Sequence, residues 1–208
     1  MPTDLEFFFD YGSPFSYIAN SQLDAIAGRT GCRVVHRPML LGAIFKATGN
    51  HSPAVEPVEA KRRYFGVDMA RWVARYGIRF ASNPHFPINT LKLMRYAHAA
   101  QREGVFEAFH AAVFPAFWAD GLDLGDDTVI AEVLGRAGLD APKLAASAND
   151  PDVKDALRAT TDEALARGVF GAPTFFVGGD EMYFGNDRLV LVEAALRQRA
   201  AQEVTRRA

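Results

Sequence analysis

Leu5-Glu6-Phe7-Phe8-Phe9-Asp10-Tyr11-Gly12-Ser13-Pro14-Phe15-Ser16 is the stretch on which the fold of this chain turns. Its first seven residues form a near-continuous aromatic and apolar run that stops at Gly12, a pattern that suits a central strand buried on both faces. Ser13 then offers a helix N-cap and Pro14 a first-turn proline, and Phe15, Ile18, Ala19, Leu23 and Ile26 continue at helical spacing. A strand therefore feeds directly into a helix. After a stop at Gly28 to Gly31, Cys32-Arg33-Val34-Val35-His36-Arg37 reads as a second strand closed by Pro38, so the opening is β-α-β.

The β pattern returns only at Pro173-Thr174-Phe175-Phe176-Val177. There Gly178-Gly179 marks a turn and Met182-Tyr183-Phe184 can pair back as a hairpin partner. Asn186-Asp187 before Leu189, Val192, Ala195 and Leu196 predicts a capped amphipathic helix, and the polar tail from Gln202 to Ala208 is expected to fray. Between about Gly42 and Gly168, β-branched runs give way to amphipathic spacing. Phe65, Met69, Trp72, Val73 and Tyr76 mark one helix, Leu91, Met94 and Ala97 another, and Phe106, Phe109, Val113 and Phe117 a third. Asp127-Thr128 could cap a helix ending at Gly138, and Asp150-Pro151 opens one more. The fold class is thus α/β: a thioredoxin-like domain from 1–41 and 169–208 and an all-helical insertion from 42–168. The insertion is expected to cover one side of the sheet.

Over 208 residues the apolar fraction of 49% and charged fraction of 23% describe a soluble, ordered chain with a sizeable core. A formal charge of -2, with dispersed Lys and Arg, provides no field for nucleic acid or anionic lipid. No apolar stretch approaches a bilayer span and no positive region precedes one at the start, which favours the cytoplasm. With Cys32 as the single cysteine there is no internal disulfide, CxxC pair or thiolate zinc cluster, so thiol chemistry needs Cys32 or a borrowed thiol. Cys32 itself reads as structural. His36, His51, His85, His98 and His110 lack ligand spacing and read as surface or core residues, and no metal is required. GxSxG, Walker and GxGxxG segments are missing, which leaves hydrolase and nucleotide-dependent readings without support.

Two local features could carry chemistry. Ser13 puts a hydroxyl where a strand meets a helix N-terminus. Free N–H groups and the helix dipole favour an anion such as a thiolate there, although an ordinary capping serine looks the same. Gly171-Ala172-Pro173-Thr174-Phe175 places a proline at a strand start. If Ala172-Pro173 is cis, the polar backbone of Ala172 faces outward and can pair with an extended peptide.

Several motifs together carry a resemblance. Ser13-Pro14-Phe15-Ser16 stands where a redox relative has CxxC. Leu40-Leu41-Gly42-Ala43-Ile44-Phe45-Lys46-Ala47-Thr48-Gly49-Asn50 begins the insertion, and Asn83-Pro84-His85-Phe86-Pro87-Ile88-Asn89-Thr90 lies within it. Gly168 to Pro173 and Phe184-Gly185-Asn186-Asp187-Arg188-Leu189 complete the set. In this order, over nearly the whole chain, they resemble 2-hydroxychromene-2-carboxylate isomerases and the related kappa-class glutathione transferases. The resemblance implies a DsbA-like architecture, a cis Ala172-Pro173 bond opposite Ser13, bound glutathione as cofactor and a homodimer. It also implies that Ser13 donates to the glutathione sulfur as the catalytic residue and that Ala172 and Pro173 form the peptide clamp. Phe184, Gly185, Asn186 and Asp187 would hold the glutamyl end, while Lys46, Asn50 and Asn89 would meet a small aromatic carboxylate substrate. Lys61-Arg62-Arg63-Tyr64 reads as the wet face of a helix and stays outside this set. The implied activity is glutathione-dependent isomerisation of 2-hydroxychromene-2-carboxylate. A kappa-type transferase or peroxidase and a non-catalytic glutathione- or peptide-binding module are the alternatives. Ser13 and Ser16 exclude CxxC exchange in each case.

Overall fold

The computed structural model describes residues 2–207, with side chains described for residues 2–202. β1 (Asp4–Phe9) lies inside a four-stranded sheet of order β2-β1-β3-β4, with β2 at Arg33–Pro38, β3 at Thr174–Val177 and β4 at Glu181–Phe184. It runs parallel to β2, with Phe7 opposite His36, and antiparallel to β3, with Phe7 opposite Phe175. Successive strand side chains point to opposite faces. Leu5, Phe7 and Phe9 accordingly enter a larger core with Phe175 and Val177, while Phe8 enters a second core with Phe176. Phe7, Phe8 and Phe9 are all fully buried, and each contributes roughly 1.5–3 kcal/mol of apolar transfer energy.

On the larger face, α1 (Pro14–Thr30) and α9 (Leu189–Arg207) pack beside α4 (Leu91–Arg102) and α5 (Phe106–Trp118). The rings of Phe9 and Phe114 of α5 meet at 5.7 Å. The other face is closed by α2 (Leu41–Thr48) and α8 (Pro151–Ala166) through Ile44 and Ala164. The Arg167 guanidinium lies 3.7 Å from the Phe176 ring centroid. Helices from the inserted stretch therefore cover both faces of the sheet, not one as expected, because Phe8 and Phe176 need a cover that no other segment supplies.

The remaining helices are α3 (Glu59–Tyr76), α6 (Asp127–Arg136) and α7 (Ala141–Ala148). α3 lies along α1 and has no fully buried residue; its predicted stripe of Phe65, Met69, Trp72, Val73 and Tyr76 is only half-buried. Ser13 caps α1 as the sequence predicts, and Gly31, at φ +70°, ends it. Three local expectations change. The α6 cap is Asp126, which accepts from Thr128 and Val129 N–H, whereas Asp127 already lies in the helix and pairs with Lys92. Asn186 and Asp187 form a 3-10 turn, Asn186–Arg188, without a side-chain cap bond, so α9 begins at Leu189. The tail foreseen as frayed from Gln202 has helical backbone as far as Arg207; Ala208 lies outside the described residues. Cys32 is half-buried just before β2, and burial raises its thiol pKa. Among the described residues no helix is long and apolar enough to cross a membrane.

Candidate functional site

Ser13 sits at the hinge between β1 and α1 with 4% of its surface exposed. Its hydroxyl accepts from the Ser16 N–H at 3.1 Å and donates to the Ala172 carbonyl at 3.1 Å. The two predicted chemical features are thereby in direct contact across 159 positions of sequence. The Ala172-Pro173 bond is cis, as expected, and so is Phe86-Pro87, which the sequence did not disclose. Ala172 is half-exposed and its N–H has no hydrogen-bond partner among the described residues. The first-turn amide of Phe15 is free in the same sense, so two donors remain beside a hydroxyl at a positive helix end.

Below this junction Asp10 is almost wholly buried, at 1% exposed. Its carboxylate accepts from the N–H of Gly12 at 2.8 Å, the N–H of Leu41 at 2.9 Å and the hydroxyl of Thr90 at 3.0 Å. Burial pushes its pKa up, opposed by the Gly12, Leu41 and Thr90 bonds. One side chain thus ties the Ser13 turn to the starts of α2 and α4. The packing at Gly12 is equally tight, since a Cβ there would come within 2.9 Å of a Thr90 methyl.

The cleft over Ser13 has a volume of about 700 Å³. Its thioredoxin-like wall includes Ser13, Ala172, Pro173, Phe184, Gly185, Asn186 and Asp187, all of the cofactor-side residues named from the sequence. The Gly185 N–H donates to the Pro173 carbonyl at 3.0 Å, and the φ of +101° at Gly185 is one that other residues rarely adopt. Asn186 is 4% exposed, and its side-chain nitrogen is buried without a partner. Asp187 bonds Arg188 at 2.6 Å.

The substrate-side residues divide. Asn50 lines the cleft and reaches across it, donating to the Phe170 carbonyl at 2.9 Å. Lys46 is exposed on α2 and does not line the cleft, because the apolar face of that short helix turns Ile44 inward and leaves Lys46 in water. Asn89 lies outside as well: its carboxamide oxygen caps Leu91 N–H at 3.0 Å, and the residue borders a separate groove. Lys61 and Arg62, set aside as a wet helix face, do line the cleft, and Arg62 donates to the Glu56 carbonyl at 3.1 Å. Amphipathic spacing could not reveal this, because α3 buries no face fully. His51, with Nε2 3.4 Å from Glu56, also borders the opening. His36, His98 and His110 lie elsewhere, in the core.

Residues 4–197 match the family model of the DSBA-like thioredoxin domain. The 2-hydroxychromene-2-carboxylate isomerase of Sphingobium xenophagum is 33% identical over 94% of this chain and 99% of its own. Glutathione S-transferase kappa 1 of Rattus norvegicus is 27% identical over 95% of this chain and 92% of its own. A solved 2-hydroxychromene-2-carboxylate isomerase superposes with a TM-score of 0.85 at 30% identity, covering 97% of this chain and 98% of that one. DsbA of Pseudomonas aeruginosa, at 17% identity and a TM-score of 0.58 over 97% of this chain and 86% of its own, matches in fold alone. A family match over residues 4–197, 33% identity over 94% of the chain and a cis-proline loop seated on Ser13 together place this chain in the DSBA-like thioredoxin domain family and, within it, in the 2-hydroxychromene-2-carboxylate isomerase family of enzymes.

Proposed function

We propose that the protein is a glutathione-dependent isomerase converting 2-hydroxychromene-2-carboxylate to trans-o-hydroxybenzylidenepyruvate, with the reaction in the Ser13 cleft. The observation that carries this reading is the Ser13 hydroxyl at the α1 N-terminus, 3.1 Å from the carbonyl of Ala172, whose own N–H is unpartnered. A cysteine at this hinge would make a redox enzyme; a serine instead supplies a hydroxyl donor for a thiolate that is not its own.

The residues fit glutathione as the source of that thiolate. The free Ala172 N–H suits the backbone of an extended peptide, and the orphaned side-chain nitrogen of Asn186 suits an acceptor at one end of it. Asp187 offers a carboxylate for an ammonium group. Bound glutathione would supply a thiolate nucleophile for reversible addition to a conjugated double bond, chemistry that does not consume it. The Ser13 hydroxyl, which now donates to Ala172, would be the side-chain donor to that sulfur, and the first-turn amides of α1 would add their positive field. Lys61 and Arg62 face the substrate carboxylate from α3, and the rings of Phe170 and Phe184, 4.5 Å apart, offer an apolar surface for the aromatic body.

Calorimetric titration of glutathione into the protein tests the clamp. Saturable one-to-one binding is expected, weakened roughly tenfold by Asn186→Ala, the effect of losing a hydrogen bond of about 1–1.5 kcal/mol. Absence of binding at about millimolar glutathione, the weak end of specific affinity, would contradict the reading.

A further inference from the structure

A further cavity has no part in the chemistry above. It is a groove of about 620 Å³ between α4, α6 and α7, bordered by Asn89, the residue that the sequence assigned to the substrate side. Its apolar lining includes Leu91, Ala131, Ala141, Pro142 and Ala145, mostly small side chains that leave a smooth slot for a flat body. Two polar groups in it are unsatisfied. Tyr96 is 7% exposed and stacks on Phe109 at a ring distance of 6.3 Å, yet its hydroxyl has no hydrogen-bond partner among the described residues. Tyr96 is nevertheless one of the residues that line the groove. Arg95 is half-exposed and likewise has neither ion pair nor hydrogen bond among the described residues.

The charge balance fixes the sign of a ligand. Lys92 is taken up by Asp127, which leaves the Arg95 guanidinium as the uncompensated charge of the lining. A guanidinium presents a planar fork of donors matched to a carboxylate, and the tyrosine of the same lining adds a further donor. A nearly buried, unpaired hydroxyl and an unpaired arginine above an apolar floor form a site with orientation, in the manner of small-molecule pockets.

We propose that this groove is a second ligand site, which binds a small monocarboxylate with a flat apolar body through Arg95 and Tyr96. It shares no lining residue with the Ser13 cleft and does not depend on the reaction assigned there. α4 is nevertheless common to both places, since Thr90 at its start bonds Asp10 beneath Ser13.

The probe is 2-naphthoate, titrated into the full chain while backbone amide resonances are followed by NMR. Saturable shifts are expected at Leu91, Ala131 and Ala145. Arg95→Gln should weaken that binding tenfold or more, because a charge-assisted bond is lost, and Tyr96→Phe by a smaller factor. Both variants should keep the wild-type fold, since neither side chain makes a polar contact within the protein. Neutral 2-naphthamide should bind at least tenfold more weakly than the acid. Shifts at Ser13 and Ala172 report the cleft and are scored separately. The proposal is overturned by absence of saturation at the groove below about 10 mM, a concentration weaker than most specific sites. Equal affinity for wild type and Arg95→Gln, or for acid and amide, would also overturn it.

Discussion

Ser13 has two structural duties, capping Ser16 N–H and holding the Ala172 carbonyl, and the proposed function gives it a third. Ser13→Ala removes the cap and should cost about 1 kcal/mol of stability while the fold persists. It also removes one donor to a bound thiolate and leaves the helix dipole in place. The thiol pKa of bound glutathione should rise by about one unit, as read from thiolate absorbance against pH; coincident curves for the two proteins would show that Ser13 does not activate sulfur. Asp10 acts one layer deeper. Asp10→Asn replaces an acceptor by an NH2 group that must face the Leu41 N–H or the Gly12 N–H. Destabilisation of about 1–3 kcal/mol is expected from chemical denaturation, together with lower turnover, since the Ser13 turn and the start of α2 lose their common anchor.

Residues whose role depends on local sequence were legible from it. Ser13 and Ala172 were, because a cap before a first-turn proline and a proline at a strand start are neighbour effects. The second cis bond, at Phe86-Pro87, was not, since only about 5–6% of X-Pro bonds are cis and no flanking pattern marks them. The placement of Lys46 outside the cleft and of Lys61 and Arg62 along it was not legible either. The side to which a helix turns a polar residue is set by the neighbours of that helix, and α3 has too little burial for its stripe to show its orientation.

At the scale of elements, β1 was readable because its apolar run is continuous and demands cover on both faces. That demand also explains why the inserted helices divide between the faces. The pairing of β2 with the helical layer has a pH consequence. His36 on β2 faces His110 of α5 at a ring distance of 4.7 Å. Burial holds the His36 pKa down from 6.5 to about 4, and burial followed by the charge of His36 lowers His110 well below its ordinary value. Unfolding lets both imidazoles take up protons more readily, so the native state binds fewer protons than the unfolded state across this window. Stability is therefore fully present above about pH 6.5 and is lost as pH falls toward 4. His36 alone accounts for on the order of 2 kcal/mol between pH 7 and pH 5. Urea midpoints should drop over that interval, and His36→Phe should flatten the decline; an unchanged slope in the variant would assign the acid sensitivity to other groups.

At the scale of the whole molecule, the strands that make the sheet lie at the two ends of the chain and more than 130 positions separate β2 from β3. Composition located that division, because the middle lacks β-branched runs. It could not locate the two cavities, which arise where helices distant in sequence meet. The cleft is the product of that long-range assembly: Ser13 comes from the opening unit, Ala172 and Asn186 from the closing one, and Asn50, Lys61 and Arg62 from the inserted segment between. The central claim is that this composite site uses a thiol it does not own and returns it. The direct measurement follows 2-hydroxychromene-2-carboxylate by absorbance while free thiol is counted in the same reaction. The account predicts conversion to the trans pyruvate only with glutathione present, and the same total thiol at completion as at the start. Conversion without glutathione, or loss of thiol in proportion to product as a kappa-type transferase would cause, would contradict it.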